Sequence, residues 1–340
     1  MITPPPPPEF LAHLPELTAF ARTTTRLHPR PGPVTAAESH IGGPLRWPAD
    51  EPWPTCTTPV LVREDVPLPD ELLERLRAAD ANREQQPVLT REQNEVRAEI
   101  ARFVGEGYTG FGSFGDGPVM GHRYAARPHP VPNPMVAVAQ LRASDIPDLP
   151  RPDGADLLQV LWCPGDHATQ PAGPVLHLRW RHEAGISAPS AVPPVGEIGR
   201  EALVPRPCRL HPEQVVEYPF PEELPQDLLD RVDTWDDKWP EATYVDVAMA
   251  PGWKVGGYAD WSLTGLGETP CPVCAEPADL LLVIDSEEFD STSRERWRPA
   301  DDPDPESSAQ PTGVVVGRWG ALRIFACLRC PGTPYVVDQQ

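Results

Sequence analysis

The sequence predicts a sheet-rich α+β fold built as two pseudo-repeated halves, and three observations carry that reading. Apolar runs of strand character, such as Met135–Leu141, Leu157–Trp162 and Leu280–Ile284, dominate over segments with helical spacing. A glycine pair followed by a tryptophan at one offset occurs twice, as Gly42-Gly43 with Trp47 and as Gly256-Gly257 with Trp261. Two Cys-x-x-Cys turns, Cys271/Cys274 and Cys327/Cys330, set the C-terminal half apart as a knuckle pair.

Residues 1–40 read as a proline stretch and a helix. The prolines Pro4–Pro8 stop a helix from extending backwards, while Phe10, Leu11, Leu14, Leu17 and Phe20 at near-helical spacing predict an amphipathic helix over 9–25. The first α+β half spans 41–205. Its opening, Ile41 to Pro48 and then Pro52-Trp53-Pro54, is too rich in glycine and proline for a helix or central strand and predicts an ordered turn with buried tryptophans. A helical insert follows at about 70–104, with Leu72, Leu73 and Leu76 on one face. There Thr90 and Gln93 suit a capping box ahead of Val96, Ile100, Phe103 and Val104, so the two helices form a hairpin. Gly110 to Gly115 matches G-x-G-x-x-G, but a helix precedes it and Pro118 follows, which predicts a loop rather than a nucleotide cradle. Strands are expected at 135–141, 157–162 and 175–180.

The second half spans 206–340 and holds both cysteine pairs. Val215–Tyr218 reads as a strand, Leu224–Trp235 as a helix, and Tyr244–Met249, Leu280–Ile284 and Leu322–Ala326 as strands. Between the cysteine pairs, an insertion at about 286–312 is expected to be disordered, because its 300–313 stretch is acidic, proline-rich and almost free of apolar side chains.

A chain of 340 residues can bury a core without disulfides, and its seven cysteines fit a reducing compartment. No run approaches the roughly 20 apolar residues of a membrane span, and the start lacks a basic, apolar signal, so a cytoplasmic location is expected. The net charge of −21 opposes binding to phosphate backbones and suits a basic protein partner.

Zinc prefers four ligands at tetrahedral corners and accepts thiolate readily. Cys271, Cys274, Cys327 and Cys330 supply four, which predicts one structural Zn2+ with no position left for an activated water. The 52 residues 275–326 between the pairs exceed a usual ribbon interval, and the insertion accounts for the excess because loop closure costs little more as a loop lengthens. Neither pair has the strand-then-helix context of a thioredoxin-like redox motif. Arg318, Arg323 and Arg329 around the second knuckle would suit a nucleic-acid ribbon, but the acidic stretch Asp301–Glu306 and the overall charge oppose one.

From about residue 40 onwards the chain resembles the YwqG-like family of bacterial proteins, a domain of unknown function. The likeness rests on Gly42-Gly43 with Trp47-Pro48, on Val138-Ala139-Gln140-Leu141, on Gly154 to Trp162, and on Val255-Gly256-Gly257 with Trp261. The C-terminal part, through Gly256-Gly257, Trp261, Cys271, Cys274, Leu281-Leu282 and Phe325 into Cys327, is also similar to the programmed-cell-death-protein-two-like family. That resemblance implies a chaperone or adaptor that shields a client. The inserts near 70–104 and 286–312 depart from the YwqG-like pattern.

Signatures of serine hydrolases, zinc proteases and P-loop enzymes are absent from the sequence. Cys163-Pro164-Gly165-Asp166-His167 groups a thiol, a carboxylate and an imidazole, yet a nucleophile and its base usually come from distant segments, so a loop with a part-buried cysteine is the better reading. His177 reads as a structural histidine, and Trp47, Trp53, Trp162, Trp180, Trp235, Trp239 and Trp261 as mostly core. The expected function is a non-enzymatic, zinc-containing protein-binding module with an immunity, chaperone-like or accessory role. The rival is an enzyme using a groove between the halves, with no catalytic or cofactor-binding residue identifiable.

Overall fold

The computed structural model describes residues 1–81, 88–113, 117–169, 173–186, 193–302 and 309–340. In chain order the strands are β1 (Arg22–Arg26), β2 (Arg30–Pro31), β3 (His40–Ile41), β4 (Thr55–Cys56), β5 (Val60–Pro67), β6 (Tyr108–Gly112), β7 (Met120–Arg127), β8 (Asn133–Pro134) and β9 (Val136–Arg142). They continue as β10 (Leu157–Trp162), β11 (Leu176–Arg181), β12 (Cys208–Arg209), β13 (Glu213–Glu217), β14 (Lys254–Gly256), β15 (Asp279–Asp285), β16 (Ala321–Ala326) and β17 (Tyr335–Gln339). The α-helices are α1 (Pro8–His13), α2 (Asp70–Ala79), α3 (Arg91–Val104), α4 (Gln226–Lys238), α5 (Tyr244–Ala248) and α6 (Arg294–Trp297).

The chain forms two units, one of residues 1–56, 132–165 and 169–340, the other of 57–131 and 166–168. In the larger unit two six-stranded sheets run β13-β1-β14-β15-β16-β17 and β2-β12-β3-β9-β10-β11, with every pairing antiparallel. A single ribbon links them. Arg22–Arg26 pair with Glu217–Glu213 in the first sheet, and the same register continues as Arg30 with Arg209 and Pro31 with Cys208 in the second. Each sheet also carries one β-bulge: β9 skips Val138 against β10, and β15 skips Leu281 against β16. A bulge adds one residue to one strand and increases local twist, so it fixes register.

The alternation of the strands sends Ile41, Leu158, Val160 and Trp162 from one sheet and Val255, Leu282, Ile284, Leu322 and Ile324 from the other into one buried cluster. Each such side chain contributes roughly 1.5–3 kcal/mol by leaving water, which is what holds the sheets face to face. The outer face of the first sheet is covered by α1, α4 and α5. There Phe10, Leu14, Trp235 and Tyr244 pack on Leu280 and Phe325.

The smaller unit holds the sheet β5-β7-β6 and the helical hairpin. Leu72 and Leu76 of α2 meet Val96, Ile100 and Val104 of α3. The Thr90 hydroxyl accepts from the Gln93 amide while the Gln93 side chain accepts from the Thr90 amide, so the expected capping box starts α3. Gln93 also donates to the Ala79 carbonyl, which ties the two helices together. The match to G-x-G-x-x-G falls partly on Phe114 and Gly115, which lie outside the described residues; its first glycines sit in β6.

Four expectations differ from the structure. The loop expected at Gly110 to Gly115 begins as strand, because Tyr108–Gly112 pair with β7 as β6. The helix over 9–25 stops at His13, continues as a 3-10 turn at Pro15–Ala19 and gives way to β1. Pro15 has no amide to continue the helix and biases Leu14 away from helical angles, and the β-branched run Thr23-Thr24-Thr25 favours a strand. Tyr244–Ala248 is helix rather than strand, because Thr243 and Asp246 form a reciprocal cap at its start. The segment 286–312, read as disordered, is packed over much of its described length: Glu288, Phe289, Trp297 and Thr312 are buried. Phe289 and Trp297 share a cluster with Ala250, and Arg26 donates to the carbonyls of Trp297 and Glu288. Residues 303–308 of the expected loop lie outside the described residues.

Candidate functional site

The two cysteine turns meet at one end of the first sheet. Cys271 and Cys274 lie just before β15, and Cys327 and Cys330 follow β16, so the β15–β16 pairing brings the turns together. The sulfur of Cys271 lies 3.9 Å from that of Cys330, and Cys274 Sγ lies 3.8 Å from Cys327 Sγ. All four sulfurs fall within 4.8 Å of one another, so the sequence-predicted ligands converge on one point suited to a metal ion. A disulfide would need about 2.05 Å, and none of the four is paired that way.

Backbone geometry shapes each turn. In the first, the Ala275 amide donates to the Cys271 carbonyl, and Ala275 takes the left-handed conformation with φ of 62°. In the second, Thr333 at φ 49° closes the turn with its amide on the Cys330 carbonyl. Burial raises the cost of charge on Cys271, but amides of Cys274 and Val273 aimed at its sulfur outweigh it and bring the thiol down to about 7. Cys330 is pushed up to about 12 through its hydrogen bond with Cys274, burial and the other thiols. Four acidic sites this close resist full ionisation until a cation shares them.

The repeated glycine motifs are built into the two sheets. Gly256 and Gly257 follow Lys254 and Val255 of β14, both with positive φ. A Cβ on Gly257 would collide with the Glu217 carboxylate and come within 2.8 Å of the Thr24 Cβ. Glu217 is fully buried and accepts from Lys254 Nζ at 2.6 Å, from the Tyr258 amide at 2.6 Å and from the Ala250 amide at 2.9 Å. In the other sheet, Gly42 approaches the carbonyls of Pro205 and Arg206 so closely that a Cβ would sit 2.9 Å from each. The loops beyond are fastened alike. Gln159 of β10 donates to the Arg46 carbonyl at 3.0 Å, and Arg323 of β16 donates to the Asp260 carbonyl. The guanidinium of Arg181 stacks 4.3 Å from the Trp47 ring, and that of Arg323 lies 4.2 Å from the Trp261 ring. Both motifs are therefore structural, with buried tryptophans as expected.

Cys163 belongs to the larger unit and His167 to the smaller. Cys163 is buried beside Leu161, Met135 and Cys56, and desolvation pushes its thiol up to about 12. The His167 ring faces the Pro59 carbonyl at 2.9 Å, and burial lowers its basicity. His177 lies beside the Trp47 ring in β11, also with basicity lowered by burial.

A cavity of about 430 Å³ opens on the outer face of the first sheet, where the helices do not cover it. Its walls carry Asp246, Asp260, Asp285, Glu287 and Asp290, against the cations Lys254 and Arg323. Both cations are engaged, Lys254 by Glu217 and Arg323 by Asp338. Burial raises Asp285 to about 7 despite amide donors from Glu287 and Gly252, and the charges of Glu288 and Asp260 push the same way. Trp319 and Leu263 line the cavity while remaining 59% and 72% exposed. The sequence reading passed over Trp319, and it placed Glu287 and Asp290 in a solvated insertion; the one available signal was the run Asp285-Ser286-Glu287-Glu288-Phe289-Asp290, where acids flank a large apolar residue directly after a strand.

No protein-family model and no curated protein matches this chain. No helix among the described residues is long and apolar enough to cross a membrane.

Proposed function

We propose that this chain is a non-enzymatic protein-binding module of two related halves, with a structural zinc in the second half and a basic partner. The observation that carries the binding role is the acidic cavity with Trp319 and Leu263 exposed beside it, since exposed aromatic anchors next to charge are what interfaces use for affinity. Zinc as the metal is supported by the sulfur separations. Tetrahedral Zn–S bonds of about 2.3 Å require sulfurs about 3.8 Å apart, and the Cys274–Cys327 and Cys271–Cys330 sulfurs stand at 3.8 and 3.9 Å. Four thiolates complete the shell, so the ion fixes the turns rather than activating water. A reducing, cytoplasmic setting suits seven cysteines without a disulfide.

The paired halves are supported by register. Reading each sheet from the shared ribbon, β2-β12-β3-β9-β10-β11 aligns with β13-β1-β14-β15-β16-β17. Because His40 pairs with Gln140 and Lys254 with Val283, Gln140 aligns with Val283; by the same step Gln159 aligns with Arg323, and the bulge at Val138 with the bulge at Leu281. On that alignment the side chains that donate to the carbonyls of Arg46 and Asp260 occupy one position in two copies. The likeness to the YwqG-like family, and in the C-terminal part to the programmed-cell-death-protein-two-like family, is part of this proposal. It favours an immunity, chaperone-like or accessory role.

Affinity-tagged protein should retain one polypeptide from extracts of its native host at 50 mM salt and release it well above 150 mM, where the screening length falls below about 8 Å. The enzyme reading would replace this one if Cys163→Ala with His167→Ala abolished a cellular phenotype at normal protein level while charge reversal of exposed acids changed nothing.

A further inference from the structure

Resting on the binding role proposed above, we propose that the outer-face cavity of the first sheet receives a guanidinium or ammonium group of a basic partner segment between Asp260 and Asp285. The argument comes from comparing the two halves. By their common offset from the glycine pairs Arg46 aligns with Asp260, and by register Arg142 aligns with Asp285. In the first half these positions are two arginines clamped by one internal carboxylate: Glu183 stands 3.8 Å from Arg46 Nε and 2.7 Å from Arg142 Nη2. The second half inverts the charges. Two carboxylates hold the same positions, and both face an open cavity of about 430 Å³. The cation that would complement them is not among the chain's cavity-lining groups, because Lys254 is held by Glu217 at 2.6 Å and Arg323 by Asp338 and the Asp260 carbonyl.

The remaining walls fit the same guest. Asp246, Glu287 and Asp290 add carboxylates, and all five acids accept local donors: the Ser262 amide and hydroxyl on Asp260, the Gly252 and Glu287 amides on Asp285, Thr292 and Thr243 on Asp246, Gln310 on Glu287, Thr292 and Ser293 on Asp290. These bonds fix the carboxylates in place before a guest arrives, which lowers the ordering cost of binding. Trp319 supplies a ring over which a cation or the apolar stem of lysine or arginine can lie. The size is near the lower end for ligand pockets, which suits one long side chain with part of its backbone rather than a cofactor.

The probe is hexa-arginine, acetylated and amidated at its ends, titrated into the full-length protein at 50 mM salt with calorimetry and tryptophan fluorescence. Hexa-glutamate serves as the opposite charge. Asp260→Asn with Asp285→Asn should weaken hexa-arginine at least tenfold at pH 8, whereas Glu71→Gln with Glu74→Gln, which likewise replaces two carboxyls but on the exposed side of α2, should change it less than twofold. Trp319→Gly, chosen because Trp319 has φ of 64°, should weaken binding at least threefold and keeps the test open if the double variant misfolds. Equal weakening by the two double variants would mean diffuse attraction to an acidic surface and would overturn the cavity, as would a wild type that does not bind hexa-arginine. A native partner held equally by wild type and by Asp260→Asn/Asp285→Asn sinks the cavity and leaves the binding function standing. Cavity-dependent hexa-arginine binding with no protein partner retained from extracts does the reverse.

Discussion

Replacing Gly257 by alanine should destabilise the protein by about 4–7 kcal/mol, and the figure follows from two separable costs. An L-residue in the left-handed region, where Gly257 sits with φ of 76°, costs roughly 1–2 kcal/mol. The new Cβ would also drive the Glu217 carboxylate out of its site, since it cannot coexist with that oxygen or with Thr24. Glu217 is the sole acid within hydrogen-bond reach of the buried Lys254 ammonium among the described residues, and breaking a buried pair costs about 3–5 kcal/mol because the other charge stays uncompensated. Gly154 separates the two costs. Its φ is 78°, yet a Cβ there meets nothing within 4 Å, so Gly154→Ala should cost only the roughly 1–2 kcal/mol of the backbone term. Urea unfolding followed by tryptophan fluorescence and by circular dichroism measures both variants against wild type. Domains are typically stable by about 5–15 kcal/mol, so Gly257→Ala should come near the limit of folding. If the two variants lie within about 1 kcal/mol of each other, the crowding around Glu217 does not carry the energy assigned to it.

Three further outcomes are expected. Elemental analysis should find about one zinc per chain, lost together with stability of the second half in Cys271→Ser or Cys327→Ser; a metal-free wild type with four titratable thiols refutes the site. Trp297→Ala should cost about 3–5 kcal/mol by urea unfolding, because the ring is fully buried and its Nε1 donates to the Asp246 carbonyl; a loss below about 1 kcal/mol would return 286–302 to a mobile insertion. Asp285→Asn should gain on wild type as pH rises. Burial lifts this carboxyl from 3.8 to about 7 in the folded state, so its ionisation opposes folding above the unfolded value and does so fully above the folded one. The difference in stability should therefore move toward the asparagine variant between pH 4 and 8 by up to about 4 kcal/mol, after a constant loss for the amide bond from Gly252 or Glu287 that asparagine cannot accept. A pH-independent difference would remove the desolvation argument.

How much could be read from the sequence depended on where the deciding chemistry lay. The four-cysteine cluster was legible because two Cys-x-x-Cys turns each announce a pair of thiols locally, and the intervening 52 residues matter little once β15 and β16 pair. The α3 cap was legible for the same local reason, Thr90 and Gln93 standing three apart. Tyr244–Met249 failed because five or six apolar residues fit a buried strand and a buried helix equally; the arbiter was Thr243 with Asp246, a cap that apolar periodicity does not report. The 286–312 segment failed because the composition of its acidic end was extended over Phe289 and Trp297, whose partners Ala250 and Arg26 are distant in sequence.

The proposed pairing of halves shows the deepest limit. On the proposed alignment few letters recur, yet the register sets Gln159 against Arg323, an amide and a guanidinium that each donate to a loop carbonyl. Hydrogen-bond geometry asks for a donor at that place and is indifferent to which residue brings it. Glycine is different, since at Gly257 a Cβ has no room, and so identity survives there. On the proposed pairing the two halves differ in charge, with Arg46 and Arg142 set against Asp260 and Asp285, and that difference is where the proposed binding role of the second half should be sought.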